Sequence, residues 1–370
     1  DNRLITSKRS HPPAAPTGKY LEIAGFNYTG TPVLYDLSDG RRYEANVSNP
    51  SLVKVYVQPA ATSHDLVFVN TAAANIKTVS SLERRNFIDY SLASNQGNYL
   101  MITHDAILNG SNGAQPIEEY RAYRSTAAGG GYNAKGYLID QLIDQFALGI
   151  KQNPLAVRNF LRFARNRFST SVRNVFIVGH GLKYTSARTS ESSPATARLN
   201  LIPTFGSPAS DVLLAAEGSS SVPLTPIGRV SVISGDELSL YLEKVKQYEQ
   251  HFTSAEGVDA SVWKKNVMHI VGANDQALID QLYSYLNAHK VLIKDTFYGA
   301  HVTDFVKSSL PGSQQSIEER LRSLINGGAN LLTYFGHSGA TTLAFKLEDP
   351  ANYSYFGKYP VFNRMGCTLG

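Results

Sequence analysis

Two side chains near the end of the sequence have the chemistry of a nucleophile and its base. Cys367, the single cysteine, follows a short apolar stretch, and His337 ends another apolar stretch thirty residues upstream. A thiol beside an imidazole loses its proton readily and attacks carbonyl groups, so this pair indicates nucleophilic catalysis. A lone cysteine is also a common buried packing residue, and a histidine after a strand is often structural. The spacing therefore leaves both a catalytic and a structural interpretation open.

Whether these two side chains lie close together depends on the strands that precede them. We expect residues 331–335 and 360–363 to be adjacent parallel strands, with the segment between them as the crossover. Ligands of open parallel sheets bind beyond the carboxyl ends of the strands, which is where His337 and Cys367 would both lie. Flanking glycines permit tight turns, so main-chain N–H groups can point at a developing oxyanion. These glycines are Gly336, Gly339, Gly366 and Gly370.

Two other histidines could take the place of the base. His180 lies between two glycines after the apolar run 174–178, and His104 follows the apolar run 99–103. Both are much farther from Cys367 in sequence than His337 is, although folding could still bring either of them near it. We therefore rank His337 first and His180 second.

The composition fits a folded protein of two or three domains. The chain has 370 residues, 42% of them hydrophobic, and a net charge of only +5. The scattered positive residues show no nucleic-acid footprint, and no apolar run is long enough for a membrane span. One cysteine excludes a disulfide within the chain. The sequence begins at Asp1 without a signal peptide, so we expect either a processed secreted chain or a shortened one.

The pattern along the chain predicts four segments. Residues 1–18 are polar and proline-rich, which indicates a linker or mobile terminus. Residues 19–95 contain short strand-like runs typical of a small antiparallel β domain. Strands and helices then alternate, which predicts parallel sheets covered by helices in two α/β subdomains, 96–228 and 229–370.

Apolar periodicity within the two subdomains predicts individual elements. Residues 277–289 and 316–326 have helical periodicity, and 266–271 is a continuous strand-like run. We expect a further strand at 291–293, a short apolar run that follows the first of these helices. Residues 184–225 are rich in Ser, Thr, Ala and Pro, which predicts a long surface excursion.

Several segments of the α/β region resemble the gingipain family of caspase-like cysteine peptidases, most closely its PorU-like branch, the type IX secretion sortases. Residues 332–339 are similar to the histidine motif of that family, and 358–370 to its nucleophile motif. Further segments are similar in the same order along the chain: 144–150, 154–161, 203–211, 226–232 and 237–249. The resemblance covers about 96–370, and the combination of motifs is more specific than any one of them.

The resemblance implies a caspase-like α/β fold, with doubly wound parallel sheets in two subdomains behind the N-terminal β domain. It implies that Cys367 is the nucleophile and that His337 is the general base and acid. The acidic third member of the family's site would match Asp275, for which an N-cap of the following helix is the alternative role. The N–H groups of Cys367 and Ser338 would hold the oxyanion.

The resemblance also implies a function and a location. We expect a cell-surface cysteine peptidase of sortase type, which cleaves secreted cargo near its C-terminal type IX signal through a thioester. Water or an amine on a surface glycolipid would resolve this intermediate. The expected location is extracellular, at the outer membrane of a Bacteroidetes-type bacterium, with attachment-complex proteins as further partners. No cofactor is required, and the sequence assigns no ligands to the structural calcium found in relatives.

Departures from the family pattern keep two alternatives open. Ser338 stands where the family has glycine, and His180 stands where the first-half strand commonly ends in aspartate. The sequence also stops three residues after Cys367, where the family fold continues, so we expect the catalytic subdomain to be incomplete. The alternatives are a secreted digestive endopeptidase and a non-catalytic scaffold of the secretion or attachment complex.

Overall fold

The computed structural model describes most of the chain, namely residues 7–10, 14, 16–75, 78–190, 193–206, 209–253, 257–307, 311–339, 343–345 and 347–366. Residues 367–370, which include the predicted nucleophile Cys367 and Gly370, lie outside the described residues. The chain divides into two compact units, Asp1–Arg84 and Arg85–Gly370.

The first unit is built from antiparallel strands. These are β1 (Ser7–Ser10), β2 (Lys19–Ala24), β3 (Val33–Asp36), β4 (Arg41–Glu44), β5 (Leu52–Val57) and β6 (Leu66–Val69). They form a four-stranded sheet in the order β1-β6-β3-β4 and a two-stranded sheet, β2-β5. Alternate residues such as Val53, Val55 and Phe68 are buried, as expected of strands with one face in a core. Ser7–Ser10 was predicted as part of a linker, but its backbone pairs with β6.

The first half of the second unit alternates strands and helices. Its elements are β7 (Tyr99–Thr103), α1 (Pro116–Ser125), β8 (Ala134–Leu138), α2 (Ile139–Phe146), α3 (Leu155–Arg167), β9 (Asn174–Val178), α4 (Tyr184–Thr189), α5 (Pro194–Leu199), α6 (Val212–Ala215) and β10 (Ile227–Val230). The strands are all parallel, in the order β10-β9-β7-β8. Leu100, Met101 and Ile102 are consecutive and all buried, because both faces of the sheet are covered.

The second half repeats this architecture. Its elements are α7 (Gly235–Thr253), α8 (Val258–Ser261), β11 (Asn266–Gly272), α9 (Gln276–Ile293), β12 (His301–Val306), α10 (Pro311–Gly327), β13 (Leu331–Gly336) and β14 (Val361–Met365). The four strands are parallel, in the order β12-β11-β13-β14. The strands predicted at 331–335 and 360–363 are therefore adjacent and parallel.

Helices pack on both faces of the second sheet. Leu321 of α10 packs in one apolar cluster with Ile270, whereas Leu282 of α9 packs in another with Val271. Neighbouring residues of a strand point to opposite faces, so α9 and α10 cover opposite sides. The predicted α/β fold, with doubly wound parallel sheets that follow a small β domain along the chain, is confirmed.

Two local predictions in this unit are wrong. Residues 291–293 were expected as a strand but form the end of α9, because extending an existing helix requires no new nucleus. The strand that pairs with β11 on the side opposite β13 is β12, which the sequence analysis missed. The surface excursion expected over 184–225 contains three short helices, and Ile202 and Leu214 within it are fully buried in the first-half core.

Short 3-10 turns complete the described structure. They lie at Ala73–Asn75, Ala93–Asn95, Asp105–Ile107, Ser111–Gly113, Val262–Lys265 and Pro350–Asn352. Among the described residues, no helix is both long and apolar enough to cross a membrane.

Candidate active site

Three parallel strands of the second sheet end at the same edge. The register aligns Gly272 of β11 with Gly336 of β13, and Phe335 of β13 with Met365 of β14. The chain therefore leaves all three strands side by side at their carboxyl ends. This edge is where open α/β sheets bind their ligands.

The backbone of β13 approaches β11 unusually closely at this edge. A Cβ atom at Gly336 would lie 2.5 Å from the Cα of Gly272, a distance that real Cβ atoms do not show. The amide N–H of the next residue, His337, donates to the carbonyl oxygen of Gly272 at 2.7 Å. Gly336 thus permits a close contact that fixes where His337 leaves the sheet.

The end of β14 lies against the turn that carries His337. A Cβ atom at Gly366 would lie 2.8 Å from the carbonyl oxygen of Gly336 and 3.2 Å from the Cβ of Ser338. Arg364 of β14 also donates from Nη2 to the carbonyl oxygen of Gly339 at 2.7 Å. The last described residue before Cys367 is therefore in contact with the residues on either side of His337.

The backbone of His337 is held while its side chain is exposed. Its carbonyl oxygen accepts hydrogen bonds from the hydroxyl of Tyr334 and from the N–H of Ala344, the latter at 3.0 Å. Its N–H is engaged by β11, as described above. An exposed imidazole on a fixed backbone can exchange protons with a bound substrate or a neighbouring thiol.

Asp275 lies three residues beyond the end of β11, at the same sheet edge. Its Oδ1 accepts a hydrogen bond from the N–H of Leu278 at 3.0 Å and so caps the N-terminus of α9. The alternative that the sequence left open, an N-cap, is thus present. A role toward His337 stays a prediction. Beside it, Asn274 accepts a hydrogen bond from Nζ of Lys307 at 2.7 Å.

The rival histidines lie at the edge of the other sheet and have structural contacts. Nδ1 of His180 lies 2.7 Å from the carbonyl oxygen of Leu199, to which it can donate. Nδ1 of His104 accepts from the N–H of Ala106 at 3.1 Å and caps a 3-10 turn. Both contacts stabilise loops of the first half, whereas His337 lies beside the chain leading to Cys367.

An arginine that the sequence analysis did not single out supports the turn of His180. Arg229 is 8% exposed in its side chain and forms two hydrogen bonds of 2.7 Å with the carboxylate of Asp211. It also donates to the carbonyl oxygens of Gly179 and Ile202, at 2.7 and 2.9 Å. These contacts indicate that the polar residues at the edge of the first sheet stabilise the turn of His180.

A buried histidine of the second sheet was also missed. His269 of β11 is 2% exposed, and burial lowers its pKa, partly offset by the carboxylate of Asp304. Its Nδ1 is 3.6 Å from Oδ1 of Asp304, whose other oxygen pairs with Lys290. Its position in the middle of a buried strand makes it a core residue rather than a base open to substrate.

One group in the described part of the chain has metal-ligand spacing. The ligand atoms of Asp36, Asp39 and His64 lie within 4.8 Å of one another in the first unit. Asp36 accepts from the N–H of Ser38 at 3.0 Å and pairs with His64 at 2.5 Å, and Asp39 pairs with Arg41. These contacts account for the group as ion pairs and hydrogen bonds of the β3–β4 hairpin and of the loop before β6. They assign no calcium ligands among the described residues.

A cavity of about 610 Å³ lies away from the candidate site. Tyr241, Tyr248 and Tyr359 line it together with Val361 and Phe362, which begin β14. His337 and Gly366 instead follow the carboxyl ends of their strands. The cavity therefore belongs to the other end of β14 and not to the sheet edge where His337 lies.

Comparison with known proteins gave a family match that covers most of the second unit. Residues 92–370 match the family model of peptidase family C25. Searches of curated proteins and of solved structures each gave no significant match. The matched region contains both sheets of the second unit, including His337 and Cys367.

Proposed function

Because the chain belongs to peptidase family C25, and so is a cysteine peptidase that acts on protein substrates, we propose that Cys367 is its nucleophile and His337 its general base and acid. The contact of Gly366 with the turn of His337 and Ser338 carries this assignment, since Cys367 is the next residue. The parallel pairing of β13 and β14 supports it, because both segments leave the sheet at one edge.

The reaction begins with transfer of the thiol proton from Cys367 to the imidazole of His337. The thiolate then attacks the carbonyl carbon of the scissile peptide, and the carbonyl oxygen takes up the negative charge. The N–H groups of Cys367 and Ser338 hold this oxyanion. When the intermediate collapses, the C–N bond breaks, and the imidazolium protonates the leaving amine, which leaves a thioester on Cys367.

Asp275 is the proposed third member of the site. One of its carboxylate oxygens caps α9, and a carboxylate has a second oxygen that can accept from another donor. In this proposal that oxygen orients the imidazole of His337 and stabilises its protonated form. The location of Asp275 at the same sheet edge supports the assignment, and its capping contact is the competing explanation.

The proposed substrate is a secreted protein with a C-terminal type IX signal, cut at the cell surface as PorU-like sortases do. The similarity of 332–339 and 358–370 to the motifs of that branch supports this narrower function. An amine on a surface glycolipid, or water, resolves the thioester. Proteins of an outer-membrane attachment complex would hold the enzyme near its cargo. Calcium, where bound, would have a structural role.

A secreted endopeptidase is the second candidate. The family match identifies a cysteine peptidase and does not distinguish an endopeptidase from a sortase, so it favours both equally. Both enzymes share the acylation step, so the product decides between them. The mass of the new C-terminus should show an amine adduct for transfer and a free acid for hydrolysis. Cleavage of many unrelated proteins would identify the endopeptidase.

The catalytic assignment is tested by labelling the full chain with a peptide chloromethyl ketone. We expect labelling at Cys367, and we expect His337→Ala to slow it by about 10²–10⁴-fold because the base is lost. His104→Ala is the matched control, since this histidine caps a turn at the other sheet, and it should label at the parent rate. Equal labelling of the parent and His337→Ala would deny the imidazole its role. If a Cys367→Ala protein supports the maturation of cargo as well as the parent does, the protein is a non-catalytic scaffold of the secretion or attachment complex.

A further inference from the structure

Tyr334 is a fully buried tyrosine three residues before His337. It is 0% exposed and lies on β13 in an apolar cluster with Ile270, Phe305 and Leu332. The ring could be replaced by that of phenylalanine without loss of apolar packing. A phenol hydroxyl in such surroundings needs hydrogen-bond partners, so its partners indicate why a tyrosine is present.

The hydroxyl forms hydrogen bonds with the loop that follows β13. It donates to the carbonyl oxygen of His337 and accepts from the N–H of Ala344 at 3.0 Å. The same N–H also donates to the carbonyl oxygen of His337 at 3.0 Å. The hydroxyl therefore joins the two described ends of the loop, on either side of residues 340–342, which lie outside the described residues.

Gly272 provides the space for this hydroxyl. A side chain at Gly272 would overlap both the hydroxyl oxygen and Cζ of Tyr334. The carbonyl oxygen of Gly272 accepts from the N–H of His337 at 2.7 Å. Two contacts therefore hold the backbone of His337. Its N–H donates to Gly272 of β11, and its carbonyl oxygen accepts from the hydroxyl of Tyr334.

The anchored carbonyl shares one peptide unit with a proposed oxyanion donor. The C=O of His337 and the N–H of Ser338 are the two polar groups of one planar trans peptide, and they point in opposite directions. Ser338 also faces Leu343 across an antiparallel bridge. The hydrogen bond from Ala344 to His337 makes this a non-hydrogen-bonded pair, in which the N–H of Ser338 points away from Leu343.

We propose that Tyr334 is a positioning residue for the oxyanion site, because its hydroxyl holds the His337 carbonyl and thereby sets the direction of the Ser338 N–H. This inference rests on the proposed function, which makes that N–H a donor to the oxyanion. Removing an oxyanion donor itself costs about 10²–10³-fold in rate, and we expect the loss of a group that only orients the donor to cost less, about 10–100-fold. Loss of the hydroxyl should weaken every step in which an oxyanion forms and leave other reactions of the thiol intact.

Two probes separate these effects in the full chain. A peptide aldehyde, chosen from a small panel as an inhibitor of the parent protein, adds the thiolate to its carbonyl carbon and places the oxygen in the oxyanion site. Iodoacetamide alkylates the thiolate by displacing iodide and forms no oxyanion. We expect Tyr334→Phe to weaken aldehyde inhibition about 10–100-fold and to change the iodoacetamide rate by less than about threefold.

Tyr353→Phe is the matched control. The ring of Tyr353 packs against the same apolar cluster as Tyr334, but its hydroxyl accepts from the N–H of Glu348 at 3.2 Å. This variant should match the parent with both probes.

Two results would overturn the inference. One is aldehyde inhibition of Tyr334→Phe within about threefold of the parent, and the other is an equal loss with both probes, as general damage to the site would give. Failure of the proposed function looks different, because Cys367→Ala would then bind the aldehyde as well as the parent does. Circular dichroism of each variant shows that the folded protein is being compared.

Discussion

Gly272 and Gly336 face each other across β11 and β13, and no side chain fits between their backbones. The carbonyl group of Gly272 occupies the position where a Cβ of Gly336 would lie, and it also accepts the N–H of His337. Two glycines on neighbouring strands therefore fix the point at which the candidate base leaves the sheet. The placement of His337 depends on this contact and not only on the strand that carries it.

Gly336→Ala should therefore damage both stability and activity. The added methyl group would force β13 away from β11, which we expect to lower the free energy of unfolding by about 1–3 kcal/mol. Gly228→Ala in β10 is the matched control, because a Cβ there meets no atom within 4 Å and should change stability by less than about 0.5 kcal/mol. Urea unfolding of both variants measures the difference. Equal stability of the two would mean that the strands can separate without cost.

Asp275 can be tested by separating its charge from its capping ability. Asparagine caps helices about as well as aspartate, so Asp275→Asn should retain the stability of the parent, whereas Asp275→Ala should lose about 1 kcal/mol. If the carboxylate orients His337, Asp275→Asn should also lower the rate of acylation at least tenfold. Unfolding midpoints and labelling rates are measured on the same preparations. A parent-like labelling rate in Asp275→Asn would leave this residue with the helix cap alone.

The ion pair of Arg229 and Asp211 should be important for the stability of the first half. Arg229 would keep its charge in a buried site if Asp211 were replaced by alanine, because its other partners are backbone carbonyls. We expect a loss of about 2–3 kcal/mol, less than the roughly 3–5 kcal/mol of a fully buried pair because Asp211 is 21% exposed.

Glu44→Ala is the control for this measurement. It breaks the exposed pair of Arg42 and Glu44, which should contribute little to stability because solvent screens both charges. Chemical denaturation of both variants gives the comparison. A loss in Asp211→Ala no larger than that in Glu44→Ala would show that Arg229 is adequately solvated without its partner.

Local patterns in the sequence were sufficient to predict the two strands that lead to the site. Two apolar runs, each followed by glycine and a reactive side chain, predicted that β13 and β14 lie side by side, and the structure pairs them in parallel. β13 lies between two other strands and has the nearly continuous apolar run of a buried parallel strand. The same reasoning failed at residues 291–293, where an apolar run of three is too short to distinguish a strand from the end of a helix.

The contacts that hold the site could not be predicted in this way. The hydroxyl of Tyr334 meets His337 and Ala344 only because Gly272, about sixty residues earlier in the chain, leaves room for it. No local pattern records such a pairing, since it depends on strand register and on the missing side chain of a distant residue. Tyr334 therefore looked like any other aromatic residue in a strand.

His269 should make the stability of the protein depend on pH below about 6.5. Burial lowers its pKa, the effects of His289 and Lys290 act in the same direction, and Asp304 opposes them. The unfolded chain therefore binds a proton at this position at a pH where the folded chain does not. The free energy of unfolding should fall as the pH decreases from about 6.5 toward the lowered pKa, with a slope of up to about 1.4 kcal/mol per pH unit.

His269→Gln removes this titration and keeps a polar side chain at the position. We expect the difference in unfolding free energy between about pH 7.5 and about pH 5.5 to be smaller in the variant than in the parent, by at most about 1.4 kcal/mol. Comparing the two differences cancels the contributions of all other groups and any constant effect of the substitution. Urea titrations at both pH values provide the measurement. An identical pH dependence in the two proteins would show that His269 accepts its proton as readily in the folded core as in the unfolded chain.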